Sequence, residues 1–292
     1  MDALNSERDR PPTDLTQLRE RVEAVRALVY DSNANFSASQ VITDLQQLMH
    51  EARARSDAQP ELRQVLILMG VVECKRGEAA KARDLLRAGL GIDAGESVDL
   101  NQLTRDHYFL ASVASDLKDF QSAAEHYGKA AELAKTAPGF DTNQRLGIRE
   151  KHGFALCEAR RFAEAYEINS ALLTDAERHF GVDDHHLSTV LINAAQNLYA
   201  LGRLPEAERY LQRCLAIFRA RDDIEREQDL LYQLAVLASE QGRPTAARVY
   251  LTERVKRLEK LGTTKLLEAA RRGLEHFDRH HASSPQAAPP DP

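Results

Sequence analysis

Between residues 187 and 218 the apolar side chains fall in two matching stripes. Leu187, Val190, Leu191, Ala194, Ala195 and Leu198 form the first, and Ala207, Tyr210, Leu211, Cys214, Leu215 and Phe218 repeat its spacing. Steps of three, then four, residues keep side chains on one face of an α-helix, so the pattern predicts two amphipathic helices. Gly202 and Pro205 stand between them. A glycine can take the left-handed conformation that ends a helix, and a proline suits the first turn of the next because it has no N–H to leave unpaired. The stretch therefore reads as a helical hairpin whose apolar faces close on each other.

The same punctuation recurs along the chain. GEAAKA (77–82), KDFQSA (118–123), RRFAEA (160–165), GRLPEA (202–207) and GRPTAA (242–247) each end in alanine, and Ala82, Ala123, Ala165, Ala207 and Ala247 are spaced by 41, 42, 42 and 40 residues. Twelve residues before each alanine stands another small residue: Gly70, Ala111, Gly153, Ala195 and Ala235. One small residue on each helix of a pair lets the two backbones approach while larger neighbours fill the groove, and a fixed period of this length marks a stacked array. Outside the five units, residues 14–30 and 38–56 carry a further periodic pair. Lys265 to His280 reads as one amphipathic helix, expected to cap the open apolar face at the end of the stack.

Composition agrees with an all-α chain. Apolar residues make up 43% of the sequence, enough for a sizeable core, and only Pro60, Pro138, Pro205 and Pro244 interrupt residues 13–282, each compatible with a helix end. Residues 1–13 and the tail SSPQAAPPDP, within 282–292, are expected to be disordered. The net charge of −6 lacks the basic excess of a nucleic-acid binder. Cys74, Cys157 and Cys214 lie far apart in helical apolar patterns, as buried thiols do, with neither a disulfide framework nor a CxxC metal site. The start, MDALNSERDRPP, lacks the apolar core of a signal peptide. The longest apolar run, Val65 to Val72, falls short of a membrane span of about 20 residues. The expectation is a cytoplasmic protein that touches neither membrane nor nucleic acid.

Taken together, the five units resemble the tetratricopeptide repeat (TPR) over residues 62–261. SDLKDFQSAAEHYGKAAELA places Phe120, Ala123, Tyr127 and Ala130 at family positions. DHHLSTVLINAAQNLYALGRLPEAERYLQRCLAIF looks like the 42-residue variety of kinesin light chain. Two departures stand out: tryptophan is absent, and Glu73 occupies a position usually apolar. The resemblance implies an α-solenoid, a right-handed superhelix of hairpins with a degenerate pair at 14–61 and a capping helix at 262–281. It also implies a concave surface lined by the first helix of each hairpin. Counting from the small residues, that surface would carry Gln64, Ile67, Leu68 and Val71; Arg105, Tyr108, Phe109 and Ser112; Glu150, Lys151 and Phe154; Asn193, Gln196 and Tyr199; and Tyr232, Gln233 and Val236. Asn193 falls where a family asparagine often contacts the bound chain. Arg105, Tyr108, Ser112, Lys151, Asn193, Gln196, Tyr199, Tyr232 and Gln233 are the candidate contacts, since amides can pair with a peptide backbone while rings accept apolar side chains. The family's carboxylate clamp is not reproduced, because only Arg105, Lys151 and Asn193 come near it.

Two histidine clusters are the remaining candidates for chemistry. The DDHH run at 183–186 offers acids and imidazoles side by side, but neighbours entering a helix point apart, and the resemblance implies a capping role. His276 and His280 stand four apart, a spacing that allows joint metal coordination, yet the HExxH glutamate is missing and a solvated face is the plainer reading. No GxSxG, phosphate loop or kinase-type set occurs, so no catalytic residue, metal or cofactor is assigned. The expected function is a non-enzymatic scaffold that binds a peptide segment or partner protein. The alternatives are a peptide-sensing regulator acting through a partner, and a metal-assisted hydrolase.

Overall fold

The computed structural model describes residues 14–30, 35–92, 99–262 and 264–282, so the two segments expected to be disordered lie outside the described residues except Ala282, which closes the last helix. Among the described residues there are thirteen α-helices and no strand: α1 (Leu15–Tyr30), α2 (Ala38–Arg53), α3 (Gln59–Lys75), α4 (Ala79–Leu90), α5 (Leu100–Asp116), α6 (Phe120–Ala134), α7 (Thr142–Glu158), α8 (Phe162–Phe180), α9 (Ser188–Ala200), α10 (Leu204–Ala220), α11 (Ile224–Glu240), α12 (Pro244–Leu261) and α13 (Thr264–Ala282). No helix among these residues is long and apolar enough to cross a membrane. The architecture is all-α, an α-solenoid arrangement of successive hairpins. It divides into two compact units, Met1–Ala155 and Leu156–Pro292, with the division inside α7.

One turn geometry joins the two helices of every repeat. Gly77, Lys118, Arg160, Gly202 and Gly242 all have positive φ, between 59° and 83°. Each donates its N–H to the carbonyl three residues back at 2.9 Å, and the residue after it donates to the carbonyl five back at 2.8–3.0 Å. These two bonds satisfy carbonyls that a helix end leaves unpaired, the Schellman arrangement. Five residues after each left-handed residue comes the repeat alanine, whose N–H makes an opening bond of the second helix, to the carbonyl four back at 2.9–3.1 Å. The turn thus fixes where the alanine lies. Ala82, Ala123, Ala165, Ala207 and Ala247 are all fully buried.

In the first unit the hairpin α3–α4 shows how tight the approach is. A Cβ added to Gly70 would meet Leu86 Cγ at 2.6 Å and the Ala82 carbonyl oxygen at 3.1 Å, so only glycine fits there without movement. The core of this unit runs through Leu18, Leu45, Leu48, Leu68, Leu86 and Leu110. Charge is buried with it. Asp106 and Arg63 pair at 2.6 Å with almost no exposure, and Gln102 donates to the same carboxylate at 2.7 Å. Burial pushes the Asp106 carboxyl above its usual range against the pull of Arg63, and drives the Tyr30 phenol beside it up to about 12. Glu73, the departure from the repeat pattern, is fully buried and held by Arg76 at 2.9 Å and by Lys81 of α4, so it ties the two helices of its own hairpin.

In the second unit the paired stripes of α9 and α10 close as the periodicity predicts. Leu187, Leu191, Ala194, Leu198, Ala207 and Cys214 have no exposure. The next hairpin, α11–α12, is locked to α10 by the buried Glu227, which accepts from Arg219 at 3.1 Å and from Arg257 Nε at 2.7 Å. Helix α13 packs on α12, with Ala270 buried and Leu274 and Phe277 half-buried.

Leucine at position 207 would drive three extra carbons into this closed contact. Ala207→Leu is expected to cost about 1–3 kcal/mol by overpacking, read as a lower melting temperature in circular dichroism. An unchanged melting temperature would place the alanine away from any close contact.

Candidate functional site

The second unit brings most of its sequence-predicted contacts together. Gln196 and Tyr199 of α9 and Tyr232, Gln233 and Val236 of α11 line one cavity of about 320 Å³, floored by Leu211 of α10. The hairpin geometry causes this. The stripes of α9 and α11 face their second helices, which leaves Gln196, Tyr199 and Tyr232 on the outer side of the first helices. Tyr199 and Tyr232 are 43% and 50% exposed, unusual for rings this large and each open to a ligand. The Tyr199 hydroxyl donates to Glu240 at 2.7 Å, and that carboxylate holds the phenol above its ordinary value. Asn193 is half-buried one turn before Gln196 and is not part of the lining.

A second cavity of about 480 Å³ adjoins the first and shares Tyr232 and Val236 with it. Its other walls include Arg254 of α12 and His276, Phe277 and His280 of α13. Arg254 was missed in the sequence because it lies on the second helix of its hairpin, outside the rule that assigns first helices to the surface. Its guanidinium sits 4.9 Å from the Tyr232 ring centroid, and its Nε donates to Gln228 at 3.0 Å. The rings of His276 and His280 meet edge to face at 4.4 Å, so these histidines form a cavity wall as well as a polar face.

In the first unit the candidates are more scattered. Arg105 is exposed, 5.8 Å from the Phe140 ring, and borders a cavity of about 400 Å³ with Glu23, Arg26, Tyr30 and Gln102. Tyr108 is half-buried and packs edge to face on Tyr127 at 5.5 Å, Ser112 is half-buried, and Lys151 is exposed on α7. Phe154 is 45% exposed, whereas Phe109 packs against the core. The expectation fails for the first repeat: Ile67, Leu68 and Val71 are buried. Helix α1 covers that face, with Leu18, Val22 and Val29 in the same core cluster and Glu23 accepting from Gln64 at 3.2 Å.

Comparison with known proteins agrees with this architecture. Residues 107–136 and 144–220 match models described as tetratricopeptide repeat. No curated protein matches the chain in sequence. Among solved structures, BtubC (BKLC) from P. vanneervenii gives a TM-score of 0.51 at 16% identity, covering 88% of this chain and 97% of that one. A putative kinesin light chain from Podosopora anserina with nearly identical TPR-like repeats gives 0.53 at 15% identity, covering 70% and 96%. YrrB, a TPR protein with an unusual peptide-binding site, gives 0.51 at 13% identity, covering 71% and 93%. At these identities the likeness is one of fold.

The Asp-His run forms a cluster in which Asp184, His185 and His186 bring one donor atom each within 4.8 Å of one another. Asp184 is already engaged. Its carboxylate accepts from the His186 N–H at 2.8 Å and lies 2.6 Å from His186 Nδ1, capping the short 3₁₀ turn His185–Leu187 that leads into α9. The backbone bond is the main cause that holds this carboxyl below its usual range. The thiols are not poised for attack, since burial raises all three and pushes Cys214 up to about 12. Asp184→Ala is expected to lower stability through the lost cap, with Asp184→Asn nearly neutral. Equal loss in the two variants, measured by urea denaturation, would show that charge and not capping matters.

Proposed function

Because the chain is a tetratricopeptide-repeat protein, we propose that it is a non-enzymatic interaction scaffold that binds a peptide segment of a partner protein on the outer face of α9 and α11. The observation that carries this reading is the cavity between Tyr199 and Tyr232, with Gln196 and Gln233 beside the two rings. An apolar hollow accepts a bulky side chain, and two carboxamides can each donate to and accept from a peptide backbone on either side of it. The solved YrrB structure supports the reading, as a fold relative whose own peptide-binding site is known. Asn193 extends this set within the second unit, and Arg105, Tyr108, Ser112 and Lys151 are proposed separately as partner contacts of the first unit.

Crosslinking pulldown with mass spectrometry, comparing the native chain with Tyr232→Ala and Tyr199→Ala, tests it. Both rings are half exposed, so the variants should fold, while an aromatic anchor is worth about 2 kcal/mol, or roughly thirtyfold in affinity. The expected outcome is loss of a defined subset of partners at unchanged helicity. An identical partner set for all three proteins would contradict the assignment.

A further inference from the structure

Helices α5 and α6 bring together two histidines that the binding reading does not use. His107 and His126 are 19 residues apart in sequence, yet their Nδ1 atoms lie 3.0 Å apart and their rings stack, with centroids at 5.2 Å and planes 22° apart. Both are half-buried, one on each helix of a single hairpin. Burial is the main cause that pulls His107 down to about 4, and it lowers His126 as well, so both rings are neutral at physiological pH. Neutral imidazole is the form that binds a metal. The two histidine clusters described above lack this geometry: Asp184 caps the turn that holds His185 and His186, and His276 and His280 meet edge to face on one helix.

We infer that the Nδ1 atoms of His107 and His126 form a chelating site for one divalent transition-metal ion of the copper, nickel and zinc group, with solvent in its remaining coordination positions. Two nitrogens bound to one ion at about 2.0–2.1 Å, with a right or tetrahedral angle between them, stand about 2.9–3.4 Å apart, and the observed 3.0 Å falls in that range. Imidazole suits all three metals, and copper(II) binds it most tightly. Without metal, one Nδ1–H donates to the other Nδ1. Coordination needs both rings with the proton on Nε2, so the donor ring moves its proton there and none is released. The surrounding charge tolerates a cation. Of the positive groups that act on the pair, Arg63 is neutralised by Asp106, Arg87 faces Asp119, and Lys129 is exposed to solvent that screens it. Glu125 and Asp119 act on His126 with the opposite sign. The ion would staple α5 to α6 one residue before Tyr108 and Tyr127, whose rings pack at 5.5 Å.

The probe is copper(II) chloride, titrated calorimetrically into the full chain in a non-coordinating buffer. Competing imidazoles are removed by a background of His185→Gln, His186→Gln, His276→Gln and His280→Gln, all at exposed or half-exposed positions. A single equivalent of copper is expected to bind, with a melting temperature that copper raises and EDTA restores. Electron spin echo modulation should show the remote nitrogens of two imidazoles. His107→Gln and His126→Gln, each added to the background, should weaken binding by roughly tenfold or more, since losing a ligand costs at least what losing an outer-shell partner does. If either variant loses helicity, the spin echo of the background protein decides alone: two imidazoles support the site, and one or none overturns it. No uptake at one equivalent, or uptake that neither substitution weakens, marks an adventitious ion only and overturns the inference.

Discussion

Everything in this fold depends on a turn that must be left-handed and a side chain that must be small, held five residues apart. The turn residue's two neighbouring amides tie off the end of the first helix, and the carbonyl that follows begins the second. This sets the phase of the second helix relative to the first. Phase then decides which side chain meets which: the repeat alanine arrives opposite the small residue of the preceding helix, and the larger side chains close around both. At Gly70 the gap left for a side chain is less than a methyl group. Because the same register is imposed five times, the outward faces of the first helices are imposed as well, and Tyr199 and Tyr232 emerge as a by-product of packing that never involves them.

Buried charge is the second organising element, and its uses differ between the units. In the first, Arg63 with Asp106 links α3 to α5, and Glu73 with Lys81 closes a hairpin. In the second, Glu227 gathers two arginines from α10 and α12. Removing one partner of such a pair leaves an uncompensated charge, costlier than never having buried either.

Much of this was legible in the sequence. The alanine spacing and the glycines at 77, 202 and 242 mark the turns, and the helical stripes of α9 and α10 name their buried residues. Lys118 and Arg160 could be placed in a turn, but nothing in their chemistry announces the left-handed conformation they adopt. The exposed aromatic pair followed from counting along first helices. The same count failed at Ile67, Leu68 and Val71, because periodicity tells which side chains share a face and not which helix covers it. Arg254 was hidden for a related reason: the cavity it lines forms only in three dimensions. The division into two units within α7 leaves no mark in the repeat spacing.

The most direct measurement is the stability of paired substitutions at equivalent turns. If the left-handed residue sets the register, Lys118→Gly should raise stability by about 0.5 kcal/mol, the left-handed penalty of a side chain less the unfolded-state entropy that glycine adds. Gly202→Ala should lower it by about 1 kcal/mol for the converse reason. Opposite signs at the two positions, read by thermal denaturation of the full chain, support the account. Destabilisation by both substitutions, or by neither, contradicts it.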